Sequence, residues 1–276
     1  DIAIKPAETP KKIAVIGAGP AGMSAALTAA ECGHSVTLYE AGAVLGGQFN
    51  LAKRIPGKED FDETIRYFRT RLAQEGVDIR LNTKANADEL ATQGFEHVVV
   101  ATGVSPRALD LEGAEGANVI SYIDALTDAK PVGNRVAIIG SGGIGFDVAE
   151  YVTSPHKSLP VSIDNFLNHW GIDKNHESAG GMGTPVRDAP ERSVVMLQRT
   201  DSRPGKTLGL TTGWVVRAEL KSRGVRNVTG AAYRKIDSNG LHIVVGGEEK
   251  LIEADTIIVC AGQESENGLY ADLQGK

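Results

Sequence analysis

Two glycine clusters hold the residues of this chain best suited to chemistry. Gly17-Ala18-Gly19-Pro20-Ala21-Gly22 and Gly140-Ser141-Gly142-Gly143-Ile144-Gly145 both read G-x-G-x-x-G. Placed between a buried strand and a helix, such a loop cradles the pyrophosphate of a dinucleotide. The first glycine permits a tight turn, the second lets the backbone approach the phosphates, and the third lets helix and strand pack closely. Unpaired amides at the helix start, at the positive end of its dipole, receive the negative charge. Around the first cluster, residues 13–16 form an apolar run, residues 23–30 a small-residue helix and residues 35–39 a second strand ending on Glu40. An acid about 20 residues past the glycines is where a ribose diol is gripped. The first binding set is therefore Gly17, Gly19, Pro20, Ala21, Gly22 and Glu40.

The second cluster follows an apolar strand over 136–139 and opens a helix over 146–152. Its candidate ligands are Gly140, Ser141, Gly142, Gly143 and Ile144. The next strand of this unit comes only at 193–198, instead of about 20 residues on. The intervening 153–192 is polar and broken by Pro155, Pro160, Pro185 and Pro190, an insertion with at most one short helix around 163–170. His156, His169 and His176 within it show no metal-ligand spacing and are expected as exposed polar residues. The strand ends in Gln198-Arg199, with no acid at the ribose position. An acid there repels a 2′-phosphate and an arginine accommodates it. Arg199, Arg203 and Lys206 thus point to NADPH, with Asp201 the one residue arguing otherwise. Two such units imply one dinucleotide held as a prosthetic group and one that exchanges. The Glu-terminated unit comes first, which favours FAD there and the nicotinamide cofactor in the second.

The elements that must position these residues can be read from periodicity. A helical apolar stripe covers 61–74, strands are expected at 77–81 and 95–101, and a helix at 214–223. Short β segments follow at 225–228, 231–236 and 241–245, the last two joined by an Asn239-Gly240 turn. A buried strand over 255–260 ends in Ala261-Gly262. The expected fold is α/β, two Rossmann-like dinucleotide-binding domains with the second inserted in the first. Residues 1–11 read as a linker, 12–130 as an FAD-binding domain, 131–262 as an NADPH-binding domain and 263–276 as a truncated return to the first.

With 276 residues the chain can build two ordinary cores. A net charge of −6 gives no electrostatic reason to expect nucleic acid or an anionic membrane. No apolar run approaches the ~18 residues of a membrane span, and residues 1–10 lack the apolar stretch of a signal peptide. Two cysteines, Cys32 and Cys260, are too few for a disulfide scaffold or a metal site. The cytoplasm is the expected location.

Several further segments carry a family resemblance. Gly46-Gly47-Gln48-Phe49 and Ala101-Thr102-Gly103 resemble loops that pass close to FAD in flavoproteins with two dinucleotide domains. Together with Arg54-Ile55-Pro56-Gly57-Lys58, Trp170-Gly171-Ile172-Asp173, Thr211-Thr212-Gly213-Trp214 and Cys260-Ala261-Gly262-Gln263-Glu264, they make the chain similar to the C-terminal half of bacterial NADPH-dependent 2,4-dienoyl-CoA reductases. These are iron–sulfur flavoenzymes of the old-yellow-enzyme and trimethylamine-dehydrogenase group. The resemblance implies that Ala21, Glu40, Gly47, Gln48, Arg54, Ala85, Thr102 and Gly103 touch FAD, and that Gly140 to Ile144 and Arg199 touch NADPH. It also implies an upstream β/α barrel holding FMN and a [4Fe–4S] cluster, to which electrons from NADPH pass through FAD. Hydride transfer to a flavin needs stacking and electrostatics more than a side-chain acid or base, so no catalytic side chain is expected.

Three departures from the family pattern matter. The barrel and cluster cysteines do not occur in this chain, so alone it is expected to show diaphorase activity at most. The chain stops before a returning Gly-Gly-x-Asp segment that completes the FAD site, so weak FAD binding is expected. A lysine of the family's Gly-Lys-Thr-Thr-Gly-Trp stretch is replaced by Leu210. A non-catalytic dinucleotide-binding fragment, or the same half of an enoate reductase or methylamine-type dehydrogenase, are the alternatives. Thioredoxin-reductase-like chemistry is set aside because the two cysteines form no redox pair in sequence.

Overall fold

The computed structural model of the protein describes residues 4–155 and 162–274. The expected features at residues 1–3, His156, Pro160, Gly275 and Lys276 lie outside the described residues. The chain opens with β1 (Lys12–Ile16), α1 (Pro20–Glu31), β2 (Ser35–Tyr39), α2 (Phe49–Ala52), α3 (Phe61–Gln74), β3 (Asp78–Arg80), α4 (Ala87–Thr92), β4 (His97–Val100) and β5 (Val104–Pro106). Then come β6 (Val119–Ser121), α5 (Tyr122–Leu126), β7 (Arg135–Ile139), α6 (Gly143–Thr153), α7 (Ile163–Trp170), β8 (Ser193–Leu197) and α8 (Gly213–Ser222). The last elements are β9 (Arg226–Val228), β10 (Ala232–Asp237), β11 (Gly240–Val245), β12 (Glu248–Glu253), β13 (Thr256–Val259), β14 (Gln263–Ser265) and α9 (Gly268–Leu273).

The chain divides into two compact units, one of residues 1–53, 58–107 and 262–276, the other of 54–57 and 108–261. The second is thus inserted in the first, as the fold expectation had it. In the first unit, β3-β2-β1-β4 form a parallel sheet. Ala14 and Val15 of β1 are fully buried and Ile13 and Ile16 nearly so, the continuous apolar run of a strand covered on both faces. Met23, Leu27, Leu38 and Leu72 close the core on one side, with α1 and α3 supplying the helical face. β1 has β2 on one side and β4 on the other, so the topology switches at its C-terminal end. Open α/β sheets bind ligands at such a point, and Gly17 follows it.

The second unit repeats the device with a parallel sheet β6-β13-β7-β8-β9 and adds an antiparallel three-stranded sheet β10-β11-β12. Leu197, Leu241, Ile243 and Ile257 join the two sheets in one core. β7 has β13 and β8 as neighbours, and Gly140 follows its end. Two expectations need correction here, and one strand was missed. The boundary drawn after residue 130 falls after residue 107, because β6 pairs in parallel with β13 and carries residues 108–130 into the second unit. The hairpin turn is Ser238-Asn239, because Gly240 already pairs with Asp237. β12 went unread: its exposed Glu248, Glu249 and Lys250 hide a strand that pairs along its length with β11. The single helix expected in the insertion is α7, capped by the Ser162 hydroxyl at the amide of Asn165, 3.4 Å, and ended by Gly171 at φ +66.

Candidate functional site: two dinucleotide cradles

In the first unit the glycines do what their spacing promises. Gly17 leaves β1 at φ +102, and a Cβ on it would lie 2.3 Å from the Ala101 carbonyl oxygen. A Cβ on Gly22 would fall 1.7 Å from the Gly17 carbonyl oxygen, so α1 packs against the turn only without a side chain there. Gly19 is different: its absent Cβ would meet only the Cα of Gly47, at 4.0 Å. Pro20 opens α1 as its first residue, where no amide is missed. The Gly46-Gly47 loop is pinned alongside, with the Gly46 amide donating to the Ala18 carbonyl at 2.8 Å. Gly47 sits at φ +50, and a Cβ there would come within 2.8 Å of the Gly19 Cα.

Glu40 stands just past β2, and both its carboxylate oxygens accept backbone amides: Oε2 from Ala18 at 2.8 Å and Oε1 from Gly42 at 2.7 Å. Each oxygen retains a further lone pair for a hydroxyl donor. Between these parts lies a cavity of about 750 Å³, lined by Gly17, Gly19, Glu40, Gln48, Ala85 and Thr102 among others. Pro20, Ala21, Gly47 and Gly103 also line it. The glycine cradle, the fixed carboxylate and the cavity volume fit an adenine dinucleotide such as FAD.

The far wall comes from the segment after residue 262, the stretch that the sequence reads as a return to the first domain. β14 pairs antiparallel with β5, and the Thr102 hydroxyl donates to the Glu266 carbonyl. Glu266, Gly268, Leu269 and Asp272 thereby join the cavity lining. Leu269 and Leu273 of α9 pack against the core at Ile16 and Tyr39. No local signal marks these residues, since their partners lie far away in sequence. Gln48 is held by the chain itself, its Nε2 donating to the Val104 carbonyl at 3.2 Å and its Oε1 accepting from Gln263 at 3.3 Å. Arg54 belongs to the second unit, whereas the cavity is built within the first. Its guanidinium pairs with Asp128 at 2.5 Å and donates to the Tyr151 hydroxyl at 3.1 Å, both in the second unit.

The second unit holds a matching cradle. Gly140 sits at φ +116, with a would-be Cβ 2.3 Å from the Cys260 carbonyl oxygen, and a Cβ on Gly145 would fall 2.0 Å from the Gly140 carbonyl oxygen. At Gly142 and Gly143 a Cβ would meet nothing within 4 Å. Backbone thus lies open where a phosphate would approach. Ile144 is half-buried in the first turn of α6. Ser141 is buried, and its Oγ has no hydrogen-bond partner among the described residues.

Register refines the reading of the strand end. The Gly17 amide donates to the Tyr39 carbonyl and the Gly140 amide to the Leu197 carbonyl, each at 2.8 Å. Gln198 therefore occupies the place of Glu40, and Arg199 lies one residue beyond. The Gln198 Nε2 donates to the carbonyls of Thr200 at 2.9 Å and Ser202 at 2.5 Å, shaping the loop. Arg199 is exposed, as are Arg203 and Lys206. Burial raises the Tyr233 phenol to about 12, with the nearby positive charge of Arg199 opposing the shift. Asp201 is engaged by the Thr229 hydroxyl at 2.9 Å.

The remaining chemical candidates are structural. His176 is exposed as expected, but His169 is not a free surface residue: its Nε2 lies 2.9 Å from the buried carboxylate of Glu219. Among the described residues no cluster of His, Cys, Asp or Glu could hold a metal ion. Both cysteines are free thiols. Burial, and then the charge of Asp147, push the Cys260 thiol up, away from reactivity. No described helix is long and apolar enough to cross a membrane.

Comparison with known proteins places this arrangement. The pyridine nucleotide-disulphide oxidoreductase family matches residues 11–275, and the chain belongs to it. Members of that family are flavin-dependent oxidoreductases that bind FAD and NAD(P)H; this chain is a flavoprotein reductase module. It is 30% identical over 280 residues to a metal reductase of Desulforamulus reducens, covering 100% of this chain and 41% of that protein. It is likewise 30% identical over 277 residues to a cinnamate reductase of Clostridium sporogenes, covering 98% of this chain and 36% of the relative. A solved 2-naphthoyl-CoA reductase superposes on 99% of this chain and 36% of its own, with a TM-score of 0.81 and 27% identity. The chain thus spans about two fifths of the length of the relatives it matches.

Proposed function

We propose that the chain is the NADPH:FAD hydride-transfer module of a larger flavoenzyme that reduces a conjugated carbon–carbon double bond, with a 2,4-dienoyl-CoA of unsaturated fatty-acid oxidation as the substrate. The observation that carries this reading is the asymmetry of the two cradles. One ends its second strand in a fixed carboxylate, Glu40, and the other in Gln198-Arg199 with Arg203 and Lys206 following. FAD belongs in the first and NADPH in the second. The alignment with an aryl-CoA reductase over nearly the whole chain supports a thioester substrate for the complete enzyme. The further parts of that enzyme are an upstream barrel with FMN and a [4Fe–4S] cluster.

A bound flavin supplies a two-electron acceptor that can pass electrons on singly. The protein's part is to bind and orient. The amides of the Gly17–Gly22 turn and the start of α1 meet the pyrophosphate. Glu40, held by Ala18 and Gly42, is preset to accept from ribose hydroxyls without losing rotamer freedom on binding. Gln48, Ala85, Thr102 and Gly103 close the cavity around the rest of the cofactor. In the second unit Gly140, Ser141, Gly142, Gly143 and Ile144 face the NADPH pyrophosphate, while Arg199 takes the 2′-phosphate. No side chain need give or take a proton in the hydride step.

The test is an anaerobic titration of the FAD-reconstituted chain, following the flavin absorbance. Rapid bleaching by NADPH, at least tenfold faster than by NADH, is expected; equal rates would overturn the NADPH assignment. A chain that binds no FAD would leave only a nucleotide-binding fragment. A second reading, reduction of a free enoate, is favoured by the cinnamate reductase aligned along 98% of this chain. The complete enzyme assayed with a 2,4-dienoyl-CoA and with cinnamate separates the two.

A further inference from the structure

The loop that carries Arg203 and Lys206 is clamped from two sides at the residue between them. The amide of Gly205 donates to the Ser141 carbonyl of the second glycine cradle at 3.0 Å. The carbonyl of Gly205 accepts from Arg217 Nη1, on α8, at 3.2 Å. Gly205 is buried at φ +67, and a Cβ on it would lie 2.6 Å from Leu208 Cδ1 and 2.9 Å from Phe146 Cζ. The loop is therefore seated directly on α6 and tied to α8. The start of α8 adds to the grip: the Gly213 amide donates to the Gly209 carbonyl at 2.8 Å, and a Cβ on Gly213 would lie 2.7 Å from Leu208 Cβ. Arg203 and Lys206, on either side of this anchor, are exposed and face solvent. Their placement depends on where Gly205 is held.

Arg217 has a second unusual property. Its Nε is buried with no hydrogen-bond partner among the described residues, and the only other such side-chain atom there is Ser141 Oγ. Buried polar atoms are rarely left unpaired without a reason. Here both belong to the two residues that grip Gly205, so part of their hydrogen-bonding capacity is not consumed by the fold. A neutral side chain of similar length would fill the space and leave no unpaired donor. An arginine is needed only if its bond to the loop matters.

We propose that Arg217 is a positioning residue for cofactor selection: by bonding the Gly205 carbonyl it fixes, beside the Gly140–Gly145 cradle, the loop that bears Arg203 and Lys206, and so sets the preference for a 2′-phosphate. This rests on the assignment of NADPH to the second cradle. Arg217 acts through the loop, and Arg199, on the neighbouring strand end, supplies a charge independently of it.

The test measures binding of NADP⁺ and NAD⁺ by calorimetry to the FAD-loaded chain and its variants. Arg217→Met is expected to weaken NADP⁺ at least tenfold and NAD⁺ less than threefold, with FAD content unchanged. Arg217→Lys, which can still donate to the Gly205 carbonyl, should recover NADP⁺ binding to within threefold of the parent. Gly205→Ala, which lifts the loop from the other side, should lose the same selectivity should Arg217→Met fold poorly. An unaltered NADP⁺/NAD⁺ ratio in Arg217→Met and Gly205→Ala overturns the proposal while leaving the NADPH assignment standing. A parent chain that binds both cofactors equally overturns the assignment itself, and this inference with it.

Discussion

On the proposed assignment of NADPH to the second cradle, Gln198 is the residue whose replacement tests cofactor choice most directly. It stands at the register of Glu40, where it contributes no charge and uses its amide to brace Thr200 and Ser202. Replacing it by glutamate restores a carboxylate beside the ribose 2′ position. Gln198→Glu should lower kcat/KM for NADPH at least tenfold, about 1.4 kcal/mol, and raise that for NADH, as steady-state rates with an artificial electron acceptor would show. Tyr233 offers a test by pH. Its phenol titrates near 12 in the fold against 10.0 unperturbed. The unfolded chain then loses the proton first, so the stabilisation present below pH 10 fades as pH rises towards 12. The contribution is about 1–2 kcal/mol after allowance for its remaining contact with solvent. Tyr233→Phe should flatten the alkaline limb of a stability–pH curve measured by urea unfolding; an unchanged slope between pH 10 and 12 would refute it.

At the level of elements, the glycines of one motif divide into two kinds. Gly145 has the Gly140 carbonyl in the place of a side chain, whereas Gly142 looks onto open space. Gly145→Ala should therefore cost stability, on the order of 2–3 kcal/mol as overpacking. Gly142→Ala should leave the melting temperature within about 1–2 °C while weakening dinucleotide binding at least tenfold. Thermal denaturation with and without NADP⁺ checks both. The same contrast explains what could be read beforehand. β1, α1, β2, β7 and α6 were legible because apolar runs, glycines and the terminal Glu40 are local signals, and the short helix expected around 163–170 is α7. The β5–β14 ladder was not, because its partners lie more than a hundred residues apart and neither strand is apolar. The partners of Arg54 were illegible for a related reason: the chain at residues 54–57 belongs to the other unit, and only the tertiary structure brings Asp128 and Tyr151 to it.

Across the whole molecule, each unit has its own parallel sheet, core and cradle, so each ligand should stabilise its own unit. A ligand at a hundred times its dissociation constant adds about 2.7 kcal/mol to whatever it binds. FAD and NADP⁺ should raise separate portions of a calorimetric melting profile, and Gly142→Ala should shrink the NADP⁺ shift while preserving the FAD shift. A single transition moved equally by either ligand would show that the units melt as one.

The return of the chain to its first unit has a consequence for how the protein is made. On the ribosome, the sheet β3-β2-β1-β4 can close as soon as β4 has emerged, but the wall formed by Glu266, Gly268, Leu269 and Asp272 is translated only after the whole inserted second unit. At 5–20 residues per second, roughly 8–35 s separate the two events. During that interval the nascent chain presents a finished phosphate turn with one side of its cofactor chamber still unbuilt. The glycine turn can therefore fold before the cavity that it opens into is complete, because the residues that finish that cavity are the last of the first unit to be made.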